Sequence, residues 1–476
     1  MDKLQHFAAQ LVESTRGYVY IRPEDRLLIL RPNRTQHLNA TACEMLLMLY
    51  AQPQPDARAV VSHMAAKYGV EPLEVAKDLD NLLLSLHKLM SNEPMDAPSI
   101  RMTPYGAHEV RYPVLSEIAL TYRCTHRCTF CYASAGPRGE RAKEMSTDEA
   151  KRVIDRIWQE AHAPTISFTG GEPTLRRDLP GLIAHAKAQG MRVNLITNGI
   201  RCARPAYTEA LKEAGLDSAQ VSLEAADAAT HDAITKVPGS FDRSLRGVRN
   251  LRAAGIHTHT NTTICPENKH CVIDLVDFAC DVLGSEYLSM NMVIRTGAAV
   301  APGDKGSRTI EYSEIGDILP PIIERAKERG LRLVWYSPVP YCLFNPVLAG
   351  IGSNSCAAAD GLLSIGPSGE VLPCSSFEEG IGNLLTQTFD EVWNSRAALY
   401  WRRKEFLPPV CRSCDLRRIC CGACPLYWDD VGSFQELIAG RDGSRRPGAL
   451  AEWGWRLKRH WHGRVRGVGH LQRKVG

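Results

Sequence analysis

The sequence predicts an α/β fold at its centre, with a small α+β domain before it and a cysteine-rich segment after it. Strand and helix patterns alternate from Val114 to about Trp335, which is typical of parallel strands joined by crossover helices. Five regions are predicted along the chain. They are a domain of short strands and helices (15–92), a linker (93–113), the alternating region (114–336), a domain with closely spaced cysteines (337–432) and a basic tail (433–476).

Six strands are predicted in the central domain, each followed by a helical pattern. They are Ser116–Thr121, Thr165–Thr169, Arg192–Thr197, Gln220–Glu224, His257–Ile264 and Tyr287–Val293. A capping-box sequence from Ser146 to Glu149 predicts the start of the first helix. Six such units form either an open doubly wound sheet or an incomplete barrel, and in both a ligand lies beyond the carboxyl ends of the strands.

The front domain is predicted to contain three short strands and three helices, in a winged-helix arrangement. The predicted elements are strands at Tyr18–Arg22, Arg26–Leu30 and Thr35–Leu38, and helices running to Tyr50, over Ala57–Tyr68 and over Pro72–Met90. Thr41 and Glu44 have the spacing of a capping box at the first helix. The last helix region carries four acidic residues against two lysines, a charge balance that disfavours DNA binding.

Charge and hydropathy exclude several classes of protein. No secretory signal is visible in the first twenty residues and no apolar stretch is long enough to span a bilayer, so a cytoplasmic protein is expected. From Arg441 onward there are ten Lys/Arg and two acidic residues, which leaves the rest of the chain net negative. We therefore expect no nucleic-acid partner for the main domains and a poorly ordered basic terminus.

Three cysteines follow the first strand of the central domain, in the sequence Cys124-Thr-His-Arg-Cys128-Thr-Phe-Cys131. Three thiolates at this spacing can hold three irons of a [4Fe–4S] cube and leave the fourth iron free to bind a ligand. A zinc knuckle is the alternative, although His126 lies inside the loop and not at the usual distance of a fourth zinc ligand. The sixteen cysteines favour metal or cluster binding, because disulfides are rare in the cytosol.

Taken in order, CTHRCTFC, FTGGEP, ITNG and VSLE resemble the motifs of the radical S-adenosylmethionine (SAM) superfamily over about Ser116 to Val293. The resemblance implies a partial (β/α)6 TIM-like barrel and reductive cleavage of SAM to a 5′-deoxyadenosyl radical. It implies that Cys124, Cys128 and Cys131 bind the cluster that chelates SAM, reduced by an external donor such as flavodoxin or ferredoxin. The residues implied to contact SAM are Phe130, Gly170, Gly171, Glu172, Asn198, Ser222 and Glu224.

The cysteine-rich domain resembles the SPASM extension of peptide-modifying radical SAM enzymes. Its pattern is Cys356-x12-Gly369-x4-Cys374, then Cys411-x2-Cys414-x5-Cys420-x3-Cys424. The resemblance implies a first auxiliary cluster on Cys342, Cys356, Cys374 and Cys424, and a second on Cys411, Cys414 and Cys420. No cysteine follows Cys424, so the second site is open, is completed by Cys421, Asp429 or Asp430, or holds no cluster. A zinc ribbon is the alternative for the last four cysteines.

The front domain resembles PqqD-like peptide-recognition domains, through Leu38-Asn-Ala-Thr-Ala42 placed after two strands and before three helices. That resemblance implies a leader peptide added as a strand beside Thr35–Leu38 and resting on Pro72–Met90. A purely structural role is the alternative. The three resemblances together imply a maturase that installs a cross-link, thioether or related radical modification in a precursor peptide. The alternatives are an enzyme of haem or other cofactor biosynthesis and a non-catalytic metal-bound scaffold.

Overall fold

A computed structural model describes residues 1–32, 34–91, 100, 111–135, 139, 142–300, 308–352 and 355–439. Most of the predicted linker and most of the predicted basic tail lie outside these residues. The chain divides into two compact units, Met1–Leu115 and Ser116–Gly476. The first unit contains the predicted front domain, and the second contains the central and cysteine-rich domains together.

The first unit is an antiparallel three-stranded sheet with four helices. Its elements are α1 (Asp2–Thr15), β1 (Val19–Arg22), β2 (Leu27–Leu30), β3 (Arg34–His37), α2 (Ala40–Ala51), α3 (Ala57–Tyr68) and α4 (Pro72–Ser91). The predicted strands and helices are confirmed, and α1 is an additional helix. Apolar side chains from β1, β2 and all four helices form one core. The sheet order is β1-β2-β3, so β3 is an edge strand.

The predicted capping box at Thr41 and Glu44 is wrong. Asn39 is the N-cap of α2, because its Oδ1 accepts the Ala42 N–H at 2.7 Å and the Thr41 hydroxyl at 2.9 Å. Asn is at least as effective as Thr at this position. The Glu44 carboxylate instead binds a side chain of α3, accepting two hydrogen bonds from Lys67 Nζ at 2.7 and 2.8 Å.

The second unit is built on a ten-stranded sheet whose first seven strands are parallel. These strands are β4 (Leu115–Thr121), β5 (Thr165–Gly170), β6 (Arg192–Thr197), β7 (Ser218–Ser222), β8 (His257–Ile264), β9 (Tyr287–Met292) and β10 (Arg332–Trp335). They lie side by side in chain order, as in a barrel and unlike a doubly wound sheet, where the order reverses. The partial barrel is therefore confirmed, with one strand more than the six predicted.

Helices connect the barrel strands. They are α5 (Thr147–Gln159), α6 (Leu179–Ala188), α7 (Pro205–Glu213), α8 (Ala228–Thr235), α9 (Ser240–Ala253), α10 (Asp274–Asp281) and α11 (Tyr312–Glu328). The predicted capping box of α5 is confirmed: Ser146 Oγ accepts the Glu149 N–H at 3.2 Å, and the Glu149 carboxylate accepts the Ser146 N–H at 2.9 Å. Throughout the described part of the chain, no helix combines the length and hydropathy needed to cross a membrane.

The cysteine-rich domain extends the same sheet from the free side of β4. Its strands are β11 (Leu362–Ile365), β12 (Glu370–Leu372) and β13 (Gly382–Asn383), and its helices are α12 (Phe389–Trp393), α13 (Arg396–Arg402), α14 (Arg417–Cys420), α15 (Pro425–Val431) and α16 (Gln435–Ala439). The sheet order places β11 next to β4. The Ser364 hydroxyl of β11 donates to the Glu117 carboxylate of β4 at 2.6 Å, which adds a side-chain link between the two domains.

One face of the barrel sheet is polar. The register pairs Glu117 with Ser167, Ser167 with Asn194, Asn194 with Ser218, and Ser218 with His257, so five polar side chains form one row. Asn194 bonds to both neighbours, at 3.3 Å to Ser167 Oγ and 2.8 Å to Ser218 Oγ. Apolar side chains occupy the alternate positions, where a β/α barrel packs against its helices. The barrel interior is therefore polar.

The next row of the polar face contains a buried histidine. His259 Nδ1 lies 2.6 Å from the Tyr287 hydroxyl, and its Nε2 lies 3.3 Å from Gln220 Oε1. Burial, followed by repulsion from His257 and Arg252, lowers the pKa of His259 to about 3. The ring is therefore neutral in the folded protein, and a proton on Nε2 with a lone pair on Nδ1 satisfies both neighbours.

We predict that His259→Gln reduces the acid sensitivity of the fold. The unfolded imidazole takes up a proton near its ordinary pKa of 6.5, whereas the folded one does not until about 3. The neutral His259 therefore contributes its full share to the free energy of unfolding above pH 6.5, and this share falls as the pH falls towards 3. At about pH 5 the free energy of unfolding is lower by about 2 kcal/mol. Urea unfolding of the cluster-free protein at neutral and acidic pH measures this loss. The exposed His270→Gln is the matched control, and equal acid sensitivity in the wild type and His259→Gln would contradict the prediction.

Candidate functional site

The loop that carries the first three cysteines is held by main-chain hydrogen bonds to the end of α8. The Arg127 N–H donates to the Thr235 carbonyl at 2.9 Å, and the Thr129 N–H donates to the Ile234 carbonyl at 3.0 Å. At the far end of the loop, the Ala298 N–H donates to the Cys131 carbonyl at 2.9 Å. The loop is thus fixed at the carboxyl end of the barrel, where its fold class places ligands.

The structure brings the three thiols of this loop together. Cys128 interacts electrostatically with both Cys124 and Cys131. Burial, and then the Glu172 carboxylate, raises the pKa of Cys124 to about 12, and burial raises the pKa of Cys128 well above its ordinary value. The Cys124 and Cys128 thiols are therefore neutral without a cluster, and cluster binding has to displace their protons.

The arrangement of donors fits an iron–sulfur cube better than zinc. Among the described residues, no three His, Cys, Asp or Glu side chains converge closely enough to bind a single metal ion. Zinc would need its thiolates within about 2.3 Å of one centre. Three neighbouring thiols, with no fourth ligand beside them in the described part of the chain, suit a larger cluster that has one open iron.

Glu172 ties the ends of β5 and β6 together. Its Oε1 accepts hydrogen bonds from the Thr174 N–H at 3.0 Å, the Thr174 hydroxyl at 2.6 Å and the Thr197 hydroxyl at 2.8 Å. Its Oε2 accepts the Asn198 N–H at 2.8 Å. Burial raises the pKa of Glu172 above its ordinary value, and these hydrogen bonds offset only part of that increase. Glu172 therefore organises the loop that was predicted to contact SAM.

The two glycines before Glu172 allow β5 to approach the end of β4. A Cβ at Gly170 would lie 2.2 Å from the Thr121 carbonyl oxygen, and a Cβ at Gly171 would lie 2.4 Å from that of Arg123. Gly170 also has a φ of +128°, which L-residues rarely adopt. Neither position can hold a side chain without moving the start of the cysteine loop.

Two further predicted residues lie beside the cysteines. Asn198 Nδ2 donates to the Thr125 hydroxyl at 2.9 Å and lies 3.9 Å from Cys124 Sγ. Glu224 interacts electrostatically with Cys128, and its carboxylate accepts the Thr263 N–H at 2.9 Å. Burial raises the pKa of Glu224 to about 8. Both side chains therefore face the cysteine loop.

The remaining two predicted SAM contacts lie at the same end of the barrel. Phe130 is half-buried within the cysteine loop, and Ser222 is half-buried at the carboxyl end of β7, where it pairs with Asn261 of β8. Their contacts with SAM remain predictions. Their positions agree with a ligand site beyond the strand ends.

A pair of buried histidines, His126 within the cysteine loop and His231 in α8, was not predicted from the sequence, where His126 was considered only as a zinc ligand. The rings of His126 and His231 pack edge to face with centroids 6.4 Å apart. Burial lowers the pKa of each to about 4. His231 Nδ1 accepts the Glu224 N–H at 3.1 Å, so this ring supports the loop that carries Glu224. No spacing in the sequence indicates such a pair.

Three of the four cysteines predicted for the first auxiliary cluster are neighbours. Cys374 interacts electrostatically with Cys356 and Cys424. The Cys424 N–H donates to the Tyr312 hydroxyl at 3.0 Å, which anchors the start of α15 on α11 of the barrel. The fourth predicted ligand, Cys342, is exposed in the turn that follows β10.

The cysteines predicted for the second auxiliary cluster also lie near each other. Cys420 interacts electrostatically with Cys414, and a Cβ at Gly422 would lie 3.2 Å from Cys411 Sγ. Two residues considered as the fourth ligand bind elsewhere in this structure. Cys421 Sγ donates to the Arg418 carbonyl at 3.4 Å, and Asp430 accepts a hydrogen bond from Arg295 at 3.0 Å.

Comparison with known proteins identifies the superfamily. The Radical SAM superfamily matches residues 118–279, and an iron–sulfur cluster-binding domain named SPASM matches residues 356–415. An AdoMet-dependent heme synthase from Nitratidesulfovibrio vulgaris is 30% identical over 326 residues, which cover 64% of this chain and 85% of that protein. The chain belongs to the radical SAM superfamily. A PqqA peptide cyclase from Granulibacter bethesdensis is 29% identical over 315 residues, covering 64% of this chain and 80% of that protein.

Solved structures show the same fold as this radical SAM enzyme. SuiB of Streptococcus suis, bound to the precursor peptide SuiA, matches with a TM-score of 0.63 at 16% identity, covering 86% of this chain and 95% of SuiB. The protein anSMEcpe with bound AdoMet matches with a TM-score of 0.52 at 15% identity, covering 73% of this chain and 97% of anSMEcpe.

The cofactors of the enzyme are iron–sulfur clusters and SAM. When bound, they supply an electron and a carbon-centred radical. The chain supplies the surroundings: the three thiols that would hold the cluster, the Asn198 amide beside Cys124, and Glu172, which fixes the adjoining strand ends. In barrels of this class, substrates bind at the same carboxyl end of the strands as the cysteine loop.

We predict that Glu172→Gln destabilises the second unit. The amide NH2 of glutamine cannot accept the Asn198 N–H, so a buried donor loses its partner at a cost of about 1–3 kcal/mol. Chemical unfolding of the cluster-free protein measures this change. The matched control is Glu149→Gln, because glutamine also serves in a capping box. Equal stability of the two variants would contradict the organising role of Glu172.

We predict that replacing Cys124, Cys128 or Cys131 by Ala abolishes SAM cleavage and removes about four irons per chain after anaerobic reconstitution. Iron and sulfide analysis, with electron paramagnetic resonance before and after SAM addition, measures the loss. Cys202→Ala is the control. Cys202 also belongs to the barrel domain, but it is fully buried and does not lie in the cysteine loop. Unchanged iron content in the three loop variants would show that these thiols do not bind the cluster.

Proposed function

We propose that this enzyme modifies a ribosomally synthesised precursor peptide and that the leader of that peptide binds to the first unit. The observation that carries the proposal is the edge position of β3 in its sheet together with exposed leucines on α4. A radical SAM barrel acts on many substrate classes, so the substrate has to be argued from the parts of the chain that would recognise it.

The edge of β3 is suited to bind an extended peptide. Within the described residues, the only strand that pairs with β3 is β2, so β3 is the edge strand of its sheet, the position at which an extended peptide adds to a sheet. Arg34 of β3 donates to the Leu89 carbonyl of α4 at 3.3 Å, which places the helix next to this strand. A peptide that paired with β3 would therefore lie close to α4.

Helix α4 carries exposed apolar side chains. Leu73 is 69% exposed and Leu84 is 43% exposed. They are separated by about three helical turns and therefore lie on the same face of α4. Main-chain pairing along β3 would supply affinity for the leader, and contacts with these leucines would supply selectivity for apolar leader side chains.

The comparisons support a peptide substrate without fixing it. One solved relative is bound to its precursor peptide SuiA, and several curated relatives are named PqqA peptide cyclase. The second candidate is a tetrapyrrole, because other relatives are named AdoMet-dependent heme synthase. The resemblance of the front domain to peptide-recognition domains favours a peptide over a tetrapyrrole.

Among peptide modifications, we favour an oxidative cross-link. Hydrogen abstraction by the deoxyadenosyl radical leaves a substrate radical, and a second electron and a proton must leave when the new bond forms. Auxiliary iron–sulfur clusters held by the cysteine-rich domain are one-electron acceptors and can take that electron. An external donor such as flavodoxin or ferredoxin would reduce the cluster that cleaves SAM.

The decisive test is co-expression with a candidate precursor, namely a short open reading frame found beside the gene. We expect the peptide to lose the mass of two hydrogen atoms, measured by mass spectrometry, and to be unchanged with the Cys128→Ala enzyme. A peptide that stays unchanged with active enzyme, while the same enzyme converts a tetrapyrrole, would overturn the proposal in favour of the second candidate.

Leader binding is tested by the double substitution Leu73→Asp and Leu84→Asp. Because both side chains are exposed, we expect the fold to be retained and the affinity for the leader to fall about tenfold or more, the equivalent of about 1.4 kcal/mol. Fluorescence anisotropy with labelled leader measures the affinity. Val282→Asp, an exposed apolar residue of the second unit, is the control. Unchanged affinity in the double variant would show that this face of α4 does not bind the leader.

A further inference from the structure

A buried ion pair lies beside the predicted first auxiliary cluster. Lys404 Nζ is 2.9 Å from Asp360 Oδ2, and the two side chains are only 11% and 7% exposed. The same ammonium donates to the backbone carbonyl of Cys356 at 2.7 Å. The positive member of the pair therefore contacts a predicted cluster ligand directly.

Local backbone structure fixes the pair in this position. The chain turns after α13, where the Lys404 N–H donates to the Trp401 carbonyl at 3.0 Å and Lys404 adopts a φ of +56°. A second turn follows Cys356 and is closed by the Asp360 N–H, which donates to the Ala357 carbonyl at 3.1 Å. The ion pair therefore joins the turn after α13 to the turn that begins at a cluster ligand.

The turn after Cys356 is also tied to the segment that carries Cys374. The Ala359 N–H donates to the Pro373 carbonyl at 2.8 Å. The groups that interact electrostatically with Lys404 are Asp360, Cys421 and Cys356, and the Phe406 ring lies 6.0 Å from its ammonium. Lys404 is therefore a cation surrounded by one carboxylate and by cysteines of the cluster domain.

Stability alone is a poor explanation for this pair. Removing two charges from water is costly, and replacing a buried ion pair by apolar side chains is often neutral or stabilising. The reduction potential of an iron–sulfur cluster, in contrast, depends on nearby charge, hydrogen bonds and solvent exposure. In a dry environment a unit charge acts over a longer range than at the surface.

We propose that Lys404 and Asp360 set the reduction potential of the auxiliary cluster bound by Cys356. Reduction adds one negative charge to the cluster, so the Lys404 cation raises the potential and the Asp360 anion lowers it. The inference rests on Cys356 as a cluster ligand and is independent of which substrate the enzyme modifies. Both residues act through the cluster and are positioning residues.

The test uses full-length protein, reconstituted anaerobically, in which Cys124, Cys128 and Cys131 are replaced by Ala so that only auxiliary clusters titrate. Redox titration followed by electron paramagnetic resonance gives the midpoint potential. In Lys404→Met we expect the ratio of reduced to oxidised cluster at fixed potential to fall about tenfold, a shift of about 59 mV to more negative potential. In Asp360→Asn we expect a shift in the opposite direction.

Two controls separate this effect from general damage. Lys187→Met breaks another Lys–Asp pair of the same unit, with Asp217 at 2.7 Å, and should leave the potential unchanged. Cys356→Ala should remove one auxiliary cluster signal, which identifies the signal to be followed, and retention of every auxiliary signal would show that the ligand assignment itself is wrong. Iron content and thermal unfolding are measured for every variant.

Shifts of the midpoint potential in opposite directions in the two variants support the proposal. If one variant fails to load a cluster, the proposal stands or falls on whether the potential of the other variant shifts in the expected direction. Wild-type potentials in loaded Lys404→Met and Asp360→Asn would overturn it, as would shifts of the same sign. Loss of both the cluster and the fold in both variants would also overturn it, because the pair would then be only a structural link.

Discussion

The site depends on one constraint, which is that the carboxyl ends of β4, β5 and β6 must be fixed relative to one another. A single buried carboxylate, that of Glu172, accepts four hydrogen bonds from Thr174, Thr197 and Asn198. The glycines before it let β5 reach the main chain at the start of the cysteine loop. Three thiols can share one cluster only if their loop is held in this way, because a loop of eight residues has almost no core of its own.

The cysteine-rich domain is built into the barrel and not merely appended to it. Its first strand lies next to β4, and its α15 is anchored by Tyr312 and by the Arg295–Asp430 pair from the end of the barrel. Segments that carry cysteines of both domains are therefore part of one packed unit. Such a fixed arrangement suits electron transfer, since the rate depends on a constant distance between donor and acceptor.

Much of the fold could be predicted from the sequence, because its strands are apolar on one face and its motifs follow strand ends in order. The choice between barrel and doubly wound sheet came from the resemblance of the motifs and not from the strand pattern, since strand order is set by long-range pairing. Helix α1 was missed although Leu4, Ala8 and Leu11 repeat with helical spacing. The capping box at Thr41 was misassigned because Asn39 offers an equally good cap two residues earlier. The Lys404–Asp360 pair joins residues forty-four positions apart, and no local pattern indicates it.

The strand order has a topological consequence. Because β11 occupies the free side of β4, the seventh parallel strand cannot meet the first, and the cylinder stays open along its length. The gap between the first and the seventh parallel strand is therefore filled by the cysteine-rich domain and not by strand pairing, so that domain forms part of the wall of the barrel.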